Sequence, residues 1–337
     1  MRSRTVGLLF CSPAFLLLGF SVILPFLVAF VVTFTDQRLL SPNPTGFVGL
    51  DNYRRLLSLW MVELPRDSSG GFAPLRDILR ADPELRHHQR LLEMGLLGRR
   101  WVVVATDPIF YRSLLNTFVF AALVIPLQCG LALGLAVLIN RRAPGRTLFR
   151  ALLFSPVVAS MVVISVLWTF LYQPTEGFMT QIVRWISFGA VEQVPWLSSG
   201  WLALPSIVLM SAWQGAGFQM LIFLAGLQSI DPSLYEAAAL DGASRWQSFV
   251  HVTLPGLRNT MVFVVISTTI AALGLFTQID VMTSGGPGNA TSTLIFHAVR
   301  TGFREQDVAY GSTVAVVFFV LVLGVALIQR RLSEERG

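Results

Sequence analysis

Residues 231–258 read DPSLYEAAALDGASRWQSFVHVTLPGLR, a charge-bearing stretch set between two long apolar runs. A chain this apolar keeps such a segment where it meets water. Asp231-Pro232 and Ser233-x-x-Glu236 are both helix-start signals, so a short helix is predicted to begin here and run through Leu240. Gly242 then breaks it. A second short helix, about Ser244 to His251, is predicted to end before Pro255, whose fixed φ suits the first turn of the apolar run that follows. The expected product is a helix-bend-helix outside the bilayer, braced at both ends by membrane helices.

Of the 337 residues 54% are apolar and 13% charged. Several stretches run for more than about 18 residues with almost no charge, which belongs in a bilayer; a soluble chain of this length buries a core without such runs. All 25 basic residues are arginine. A P-loop ATPase needs a lysine on the nucleotide phosphates and a Schiff-base enzyme needs a lysine amine, so this polypeptide can supply neither. The net charge of +6 comes from arginines scattered between apolar runs, a distribution that fits membrane topology and no nucleic-acid surface. Cys11 and Cys129 fall inside apolar runs and the four histidines are dispersed, so neither a disulfide framework nor a metal site is predicted.

The hydropathy pattern predicts an all-α membrane protein with six transmembrane helices. They cover about Gly7 to Phe34, Leu114 to Ile139, the run ending near Leu171, Leu202 to Leu227, Thr260 to Met282 and Val308 to Ile328. Arg141, Arg142, Arg146 and Arg150 crowd the turn before the third span and mark it as cytoplasmic. Arg330-Arg331 follow the sixth, so both termini are expected inside. Pro13, Pro25, Pro126, Pro156 and Pro205 stand within spans, where each removes a backbone bond that neighbours or water must replace.

The chain therefore divides into residues 1–34, the first span; 35–112, an extracytoplasmic loop; and 113–337, a core of five spans with a polar loop at 229–258. The first loop holds eleven arginines against nine acids, and loops longer than about 60 residues cross membranes largely regardless of charge. Within it, a Pro/Ser/Gly stretch from Pro65 to Gly71 precedes two predicted helices, Pro74 to Ala81 and Pro83 to Leu97. Asp82-Pro83 reads as a cap and first-turn pair, and Leu85, Leu92 and Leu96 recur at helical spacing. A small helical cap over about 60–105 is expected.

Glu236-Ala237-Ala238, Gly242 after three residues, Val252 after nine more, and Leu254-Pro255 resemble the EAA signature of ABC importer permeases, with Val where the family has Ile. Phe47-Val-Gly-Leu-Asp-Asn-Tyr53, Leu115-Asn116-Thr117, Leu224-Ala-Gly-Leu-Gln228 and Thr283-Ser-Gly-Gly-Pro287 are similar to the carbohydrate-type permeases of that superfamily. The resemblance implies a type I ABC importer fold in a bacterial inner membrane. It also implies a sugar or sugar-like substrate and no cofactor in this chain, with ATP and Mg on partner subunits. The implied partners are a second homologous permease subunit, two ABC ATPase subunits and an extracytoplasmic solute-binding protein.

By the same resemblance residues 233–246 form the coupling helix, with Glu236, Ala237, Ala238, Asp241, Gly242 and Arg245 meeting an ATPase. The substrate path would take Trp213, Gln214, Gly215 and Phe218 from the fourth span, Val157 and Met161 from the third, and Leu275 from the fifth. Aromatic faces and uncharged amides suit a sugar's C–H surface and hydroxyls. Ala271, Ala272 and Leu275 depart from the polar and aromatic residues found there in the related maltose permease. An ion-coupled transporter or channel is the alternative, and the shortage of ionisable groups within the spans speaks against it. No nucleophile-base pair suggests an enzyme.

Overall fold

The computed structural model describes residues 2–65, 72–96, 99–140 and 145–334, and most of them are helical. In chain order the helices are α1 (Arg2–Leu18), α2 (Leu24–Val32), α3 (Asp51–Leu57), α4 (Leu75–Ala81), α5 (Pro108–Asn140), α6 (Arg146–Val158), α7 (Met161–Leu171), α8 (Phe178–Ile186), α9 (Ala203–Gln228) and α10 (Pro232–Leu240). They continue as α11 (Arg245–Ser248), α12 (Leu254–Gly256), α13 (Arg258–Leu273), α14 (Thr277–Met282), α15 (Leu294–Val299) and α16 (Val308–Glu334). Single π-helical turns join α1 to α2 and α11 to α12.

Among the described residues four helices are long and apolar enough to cross a bilayer: Phe10–Val32, Pro108–Asn140, Ala203–Gln228 and Val308–Arg331. Two bent pairs raise the number to six if each is one span: Thr147–Val158 with Met161–Leu171, bent by 100°, and Arg245–Gly256 with Arg258–Leu273, bent by 68°. The third span expected from hydropathy, which holds Pro156, is thus broken. Pro156 cannot donate to the Leu152 carbonyl, and the Ser155 hydroxyl takes that acceptor instead at 2.8 Å. Ala159 is then extended, and Ser160 starts the next helix. Both π turns precede a proline by two residues. At each, a leucine N–H reaches back five residues, Leu24 to Gly19 and Leu254 to Phe249, so the chain enters the proline without a clash against the preceding turn. The helix after Ser244 therefore passes through Pro255 rather than stopping short of it.

The chain forms two compact units. The first comprises described residues up to Tyr111 together with His297–Val320. Its most distinctive part is an antiparallel sheet of three strands, β1 (Leu59–Leu64), β2 (Gln89–Leu96) and β3 (Arg99–Ala105), with β3 in the centre. Leu59 pairs with Ala105 and Leu64 with Arg100; Gln89 also faces Ala105 and Leu96 faces Arg99. Val102 and Val104 of β3 are buried with Leu64 and Leu85 beneath Leu75, Ile78 and Leu79.

The predicted helical cap is corrected here: α4 forms, but the stretch expected as a helix from Pro83 to Leu97 is a turn followed by β2. Asp82 accepts the Glu84 N–H at 2.9 Å and closes a tight turn instead of capping a helix. Pairing with the central strand and burial of Leu85 then outweigh the helical spacing of the leucines. Residues 66–71 of the Pro/Ser/Gly stretch, Leu97, and Arg141 and Arg142 of the arginine turn lie outside the described residues.

Also in this unit, Asp107 caps α5 by accepting the Phe110 N–H at 3.0 Å, with Pro108 in the first turn. Its other oxygen accepts from His297 Nε2 and from the Tyr310 hydroxyl, each at 2.8 Å. All three side chains are buried. Burial pushes the Asp107 carboxyl up, but the hydrogen bond and charge of His297, with the Tyr310 and Phe110 donors, outweigh it and hold the group below the usual carboxylate range. Arg55 lies over the Tyr310 ring at 3.9 Å and pairs with Asp307 at 3.2 Å.

The second unit comprises Arg112–Phe296 and the described residues from Leu321 onward. Its core joins Ala132, Ala136, Ala216, Met220, Phe223, Leu257 and Val264. Small residues allow close approach where no hydrophobic drive separates helices from lipid: a Cβ on Gly217 would lie 2.1 Å from the Leu153 carbonyl oxygen. The loop after α14 is tied to the same unit, since Asn116 donates to the Asn289 and Ser292 carbonyls at 3.0 and 2.9 Å.

A depressed carboxylate contributes stability above the ordinary Asp range and loses it as pH falls through the lowered value. Asp107→Asn is expected to cost about 1.5–3 kcal/mol at neutral pH and to flatten the loss of thermal stability of the detergent-solubilised chain as pH falls below about 4. An unchanged acid limb would remove Asp107 from that role.

Candidate functional site

The polar segment is built by three local devices. Asp231 accepts the Ser233 N–H at 2.9 Å, and this bond holds its carboxyl below the usual range. At the other end of α10 the Gly242 N–H bonds the Ala239 carbonyl at 3.1 Å and the Ala243 N–H bonds that of Ala238 at 2.9 Å. Those crossed bonds need a left-handed residue between them, and Gly242 supplies it at φ 76°. Ser244 and Gln247 then cap α11 reciprocally, each side chain accepting the other's N–H. Tyr235 and Thr253 share a hydroxyl hydrogen bond of 3.0 Å that ties the two arms.

The result is a rigid elbow with an uncovered surface. Glu236, Ala237, Asp241, Gly242 and Arg245 are exposed and Ala238 is half-buried. Leu240 is 89% and Trp246 70% exposed. Among the described residues neither Glu236, Asp241 nor Arg245 makes an ion pair, so the charges are available to another molecule. A hollow of about 540 Å³ lies beside the two arms, lined by Tyr235, Ala239, Ala243, Arg245 and Phe249 among others.

Within the same unit a cavity of about 330 Å³ opens among α5, α6, α7, α9 and α13. Val157 and Met161 reach it from either side of the 100° break. Gln214, Gly215 and Phe218 reach it from α9, and Leu275 from just beyond α13. Gln128, Ser211, Gln219, Ser267, Thr268 and Gln278 provide the remaining polar lining, with no charged side chain among the described residues. Gln219 donates to the Thr268 hydroxyl. Among the described residues its Oε1 and the Ser211 hydroxyl are buried with no partner, and a buried acceptor without a bond has capacity for a further donor.

The model of the family of binding-protein-dependent transport system inner membrane components matches residues 110–335. The chain belongs to this family. It is a multi-pass membrane component of a transport system, and its relatives are named as permeases. A probable ABC transporter permease protein, y4oQ of Sinorhizobium fredii, is 34% identical over 69% of this chain and 74% of its own. The lactose transport system permease protein LacF of Rhizobium radiobacter is 33% identical over 72% and 80%. A chain of a bacterial alginate ABC transporter, solved with a periplasmic protein carrying alginate pentasaccharide, superposes with a TM-score of 0.61 at 23% identity over 68% of this chain and 80% of that one. This likeness shows the shared type I permease fold.

Of the path residues expected in this permease, Gln214, Gly215, Phe218, Val157, Met161 and Leu275 share the one cavity. Trp213 does not line it. Its ring packs 5.4 Å from that of Trp168, because one residue on a helix is a turn of about 100°, and the cavity face of α9 runs through Ser211, Gln214 and Phe218 at intervals of three and four. Gln128 on α5, with Ser267 and Thr268 on α13, was not singled out by sequence. A lone amide in the middle of the second apolar run was the available signal for Gln128.

Two glycines of α9 separate packing from cavity shape. Gly217→Ala would press on the Leu153 backbone and is expected to cost about 1–3 kcal/mol in thermal unfolding of the solubilised chain. Gly215→Ala meets only the end of the Gln128 side chain, which can rotate into the cavity, and should leave the melting temperature nearly unchanged.

Proposed function

We propose that this permease is the membrane-spanning subunit of an ATP-driven importer that passes a sugar or similar uncharged, hydroxyl-rich solute into the cytoplasm. The observation that carries the reading is the elbow of residues 233–246: a charge-bearing segment whose first arm is capped at both ends and whose second is capped at its start, exposed among the described residues. Such rigidity suits an element that transmits displacement. In this reading the elbow docks on one of two ABC ATPase subunits, which hold ATP and Mg, while a second homologous permease completes the pathway. Both termini lie in the cytoplasm.

The cavity supports the cargo class. Its amides and hydroxyls can satisfy sugar hydroxyls, and Phe120 and Phe218 offer apolar faces. A charged solute entering a cavity with no counter-charge would lose its hydration uncompensated. Closure of the ATPases would push the elbow, and the bundle would turn from inward to outward facing by rigid-body movement. An extracytoplasmic binding protein delivers the cargo, and the sheet-bearing insertion, placed outside the membrane, is where it would make contact.

The reading is tested in proteoliposomes holding the permease with its ATPases, partner permease and binding protein. Gly242→Arg is expected to leave the complex in the membrane while abolishing both uptake and the binding-protein stimulation of ATP hydrolysis. Retained stimulation would separate the elbow from coupling. Gln219→Leu keeps side-chain volume but removes the open acceptor, and uptake should fall about 10-fold or more, as for loss of one buried hydrogen bond to cargo, with basal ATPase unaltered. Unchanged uptake and solute preference in that variant would exclude the cavity as the path.

A further inference from the structure

The insertion holds a second recess that the transport path does not use. It is a groove of about 560 Å³ with Phe72, Leu75 and Leu79 among its apolar lining. Arg76, Arg80, Arg86, Arg90 and Arg100 also line it. Glu93 neutralises part of this charge, pairing with Arg90 at 3.1 Å and Arg100 at 3.3 Å. The Arg100 guanidinium is further held 4.5 Å above the Phe72 ring. Arg76, Arg80 and Arg86 are exposed and have no carboxylate partner among the described residues. Arg76 and Arg80 stand four apart on α4, where like charges repel. His88 lines the same groove; burial lowers its pKa below the ordinary histidine value, so near neutral pH the positive charge belongs to the arginines.

Guanidinium groups are planar forks that bind oxyanions bidentately, and they keep their charge at any physiological pH. Three unpaired forks around one recess exceed what the two oxygens of a carboxylate can engage. They match the oxygens and the higher charge of a phosphate. The apolar lining adds a surface for whatever the phosphate is attached to.

We propose that this groove binds a phosphate-bearing ligand, with the phosphate held by Arg76, Arg80 and Arg86 and its organic part laid on Phe72, Leu75 and Leu79. Two sources offer the same terminal phosphate, a soluble phosphomonoester and the monoester headgroup of phosphatidic acid. Because the readout is binding to the insertion rather than uptake, the proposal stands or falls independently of the importer reading.

The test uses the full-length chain in phosphatidylcholine nanodiscs, titrated calorimetrically with phenyl phosphate at low salt. Binding is expected, with affinity at least about 10-fold weaker in Arg76→Gln/Arg80→Gln/Arg86→Gln and weaker again as salt screens the pair. The double variant Arg76→Gln/Arg80→Gln, altering two exposed positions only, serves if the triple variant loses the amide-exchange protection of β3. In a second arm phosphatidic acid replaces a third of the lipid. Slower exchange across residues 72–96, lost in the variant, with phenyl phosphate displaced, assigns the site to a lipid headgroup. Binding of phenyl phosphate unaffected by phosphatidic acid assigns it to a soluble ligand. Equal binding by wild type and variants, or no effect in either arm, overturns the proposal.

Discussion

Inside a bilayer a backbone N–H or C=O left without a partner costs several kcal/mol, and no water is at hand to supply one. The form of this permease follows from that constraint wherever a helix is interrupted. The third candidate span bends by 100° beside Pro156, and the Ser155 hydroxyl occupies the acceptor that the proline abandons. Ahead of Pro25 and Pro255 the helix widens by one residue per turn and continues. Each interruption comes with its own repair, so the breaks are stable features on which a cavity and an elbow can be built. The cavity residues Val157 and Met161 flank one such break, and the π turn before Pro255 lets the elbow run toward α13 through α12.

Charge is distributed by the same logic. The membrane cavity holds amides and hydroxyls and no ionic group, whereas arginines gather in the insertion and the carboxylates of the elbow stand exposed. Where a carboxylate is buried, at Asp107, it is supplied with three donors from three separate parts of the chain, Phe110, His297 and Tyr310. Among the described residues the ionic groups thus lie outside the cavity, where they pair with one another or stand exposed.

Much of this was legible in the residues because it is governed locally. The α10 start follows from Asp231-Pro232, its end from Gly242, and the second arm from Ser244 and Gln247; each is a pattern of fewer than six residues acting on its own backbone. The same Asp-Pro dipeptide gave a helix at 107–108 and 231–232 but a turn at 82–83, and nothing adjacent distinguishes the third. What decided it was pairing of Gln89–Leu96 with a strand that ends at Ala105, an interaction spanning the loop. The span prolines likewise marked lost backbone bonds without distinguishing which helix would bend, since Pro126 sits within an unbroken helix while Pro156 precedes a break. On α9 the sequence reading took in Gln214, Gly215 and Phe218, which line the cavity, together with Trp213, whose aromatic character suited a sugar but whose ring packs against Trp168. Gln128 and Thr268 were missed because their role depends on helices that meet only in the folded unit.

The glycines show how one residue type answers two different demands. At Gly217 the demand is spatial: φ is helical, and any Cβ would collide with the backbone of α6, so the residue sets the distance between two membrane helices. At Gly242 no atom lies within 4 Å of a would-be Cβ, and the demand is purely conformational, a left-handed φ of 76°. An alanine at 242 would therefore strain the turn by about 1 kcal/mol without touching anything in this chain, whereas a large side chain would project from the elbow's apex into whatever docks there. Gly217 is thus fixed by its neighbours and Gly242 by its own backbone, which leaves the exposed turn open to whatever meets it.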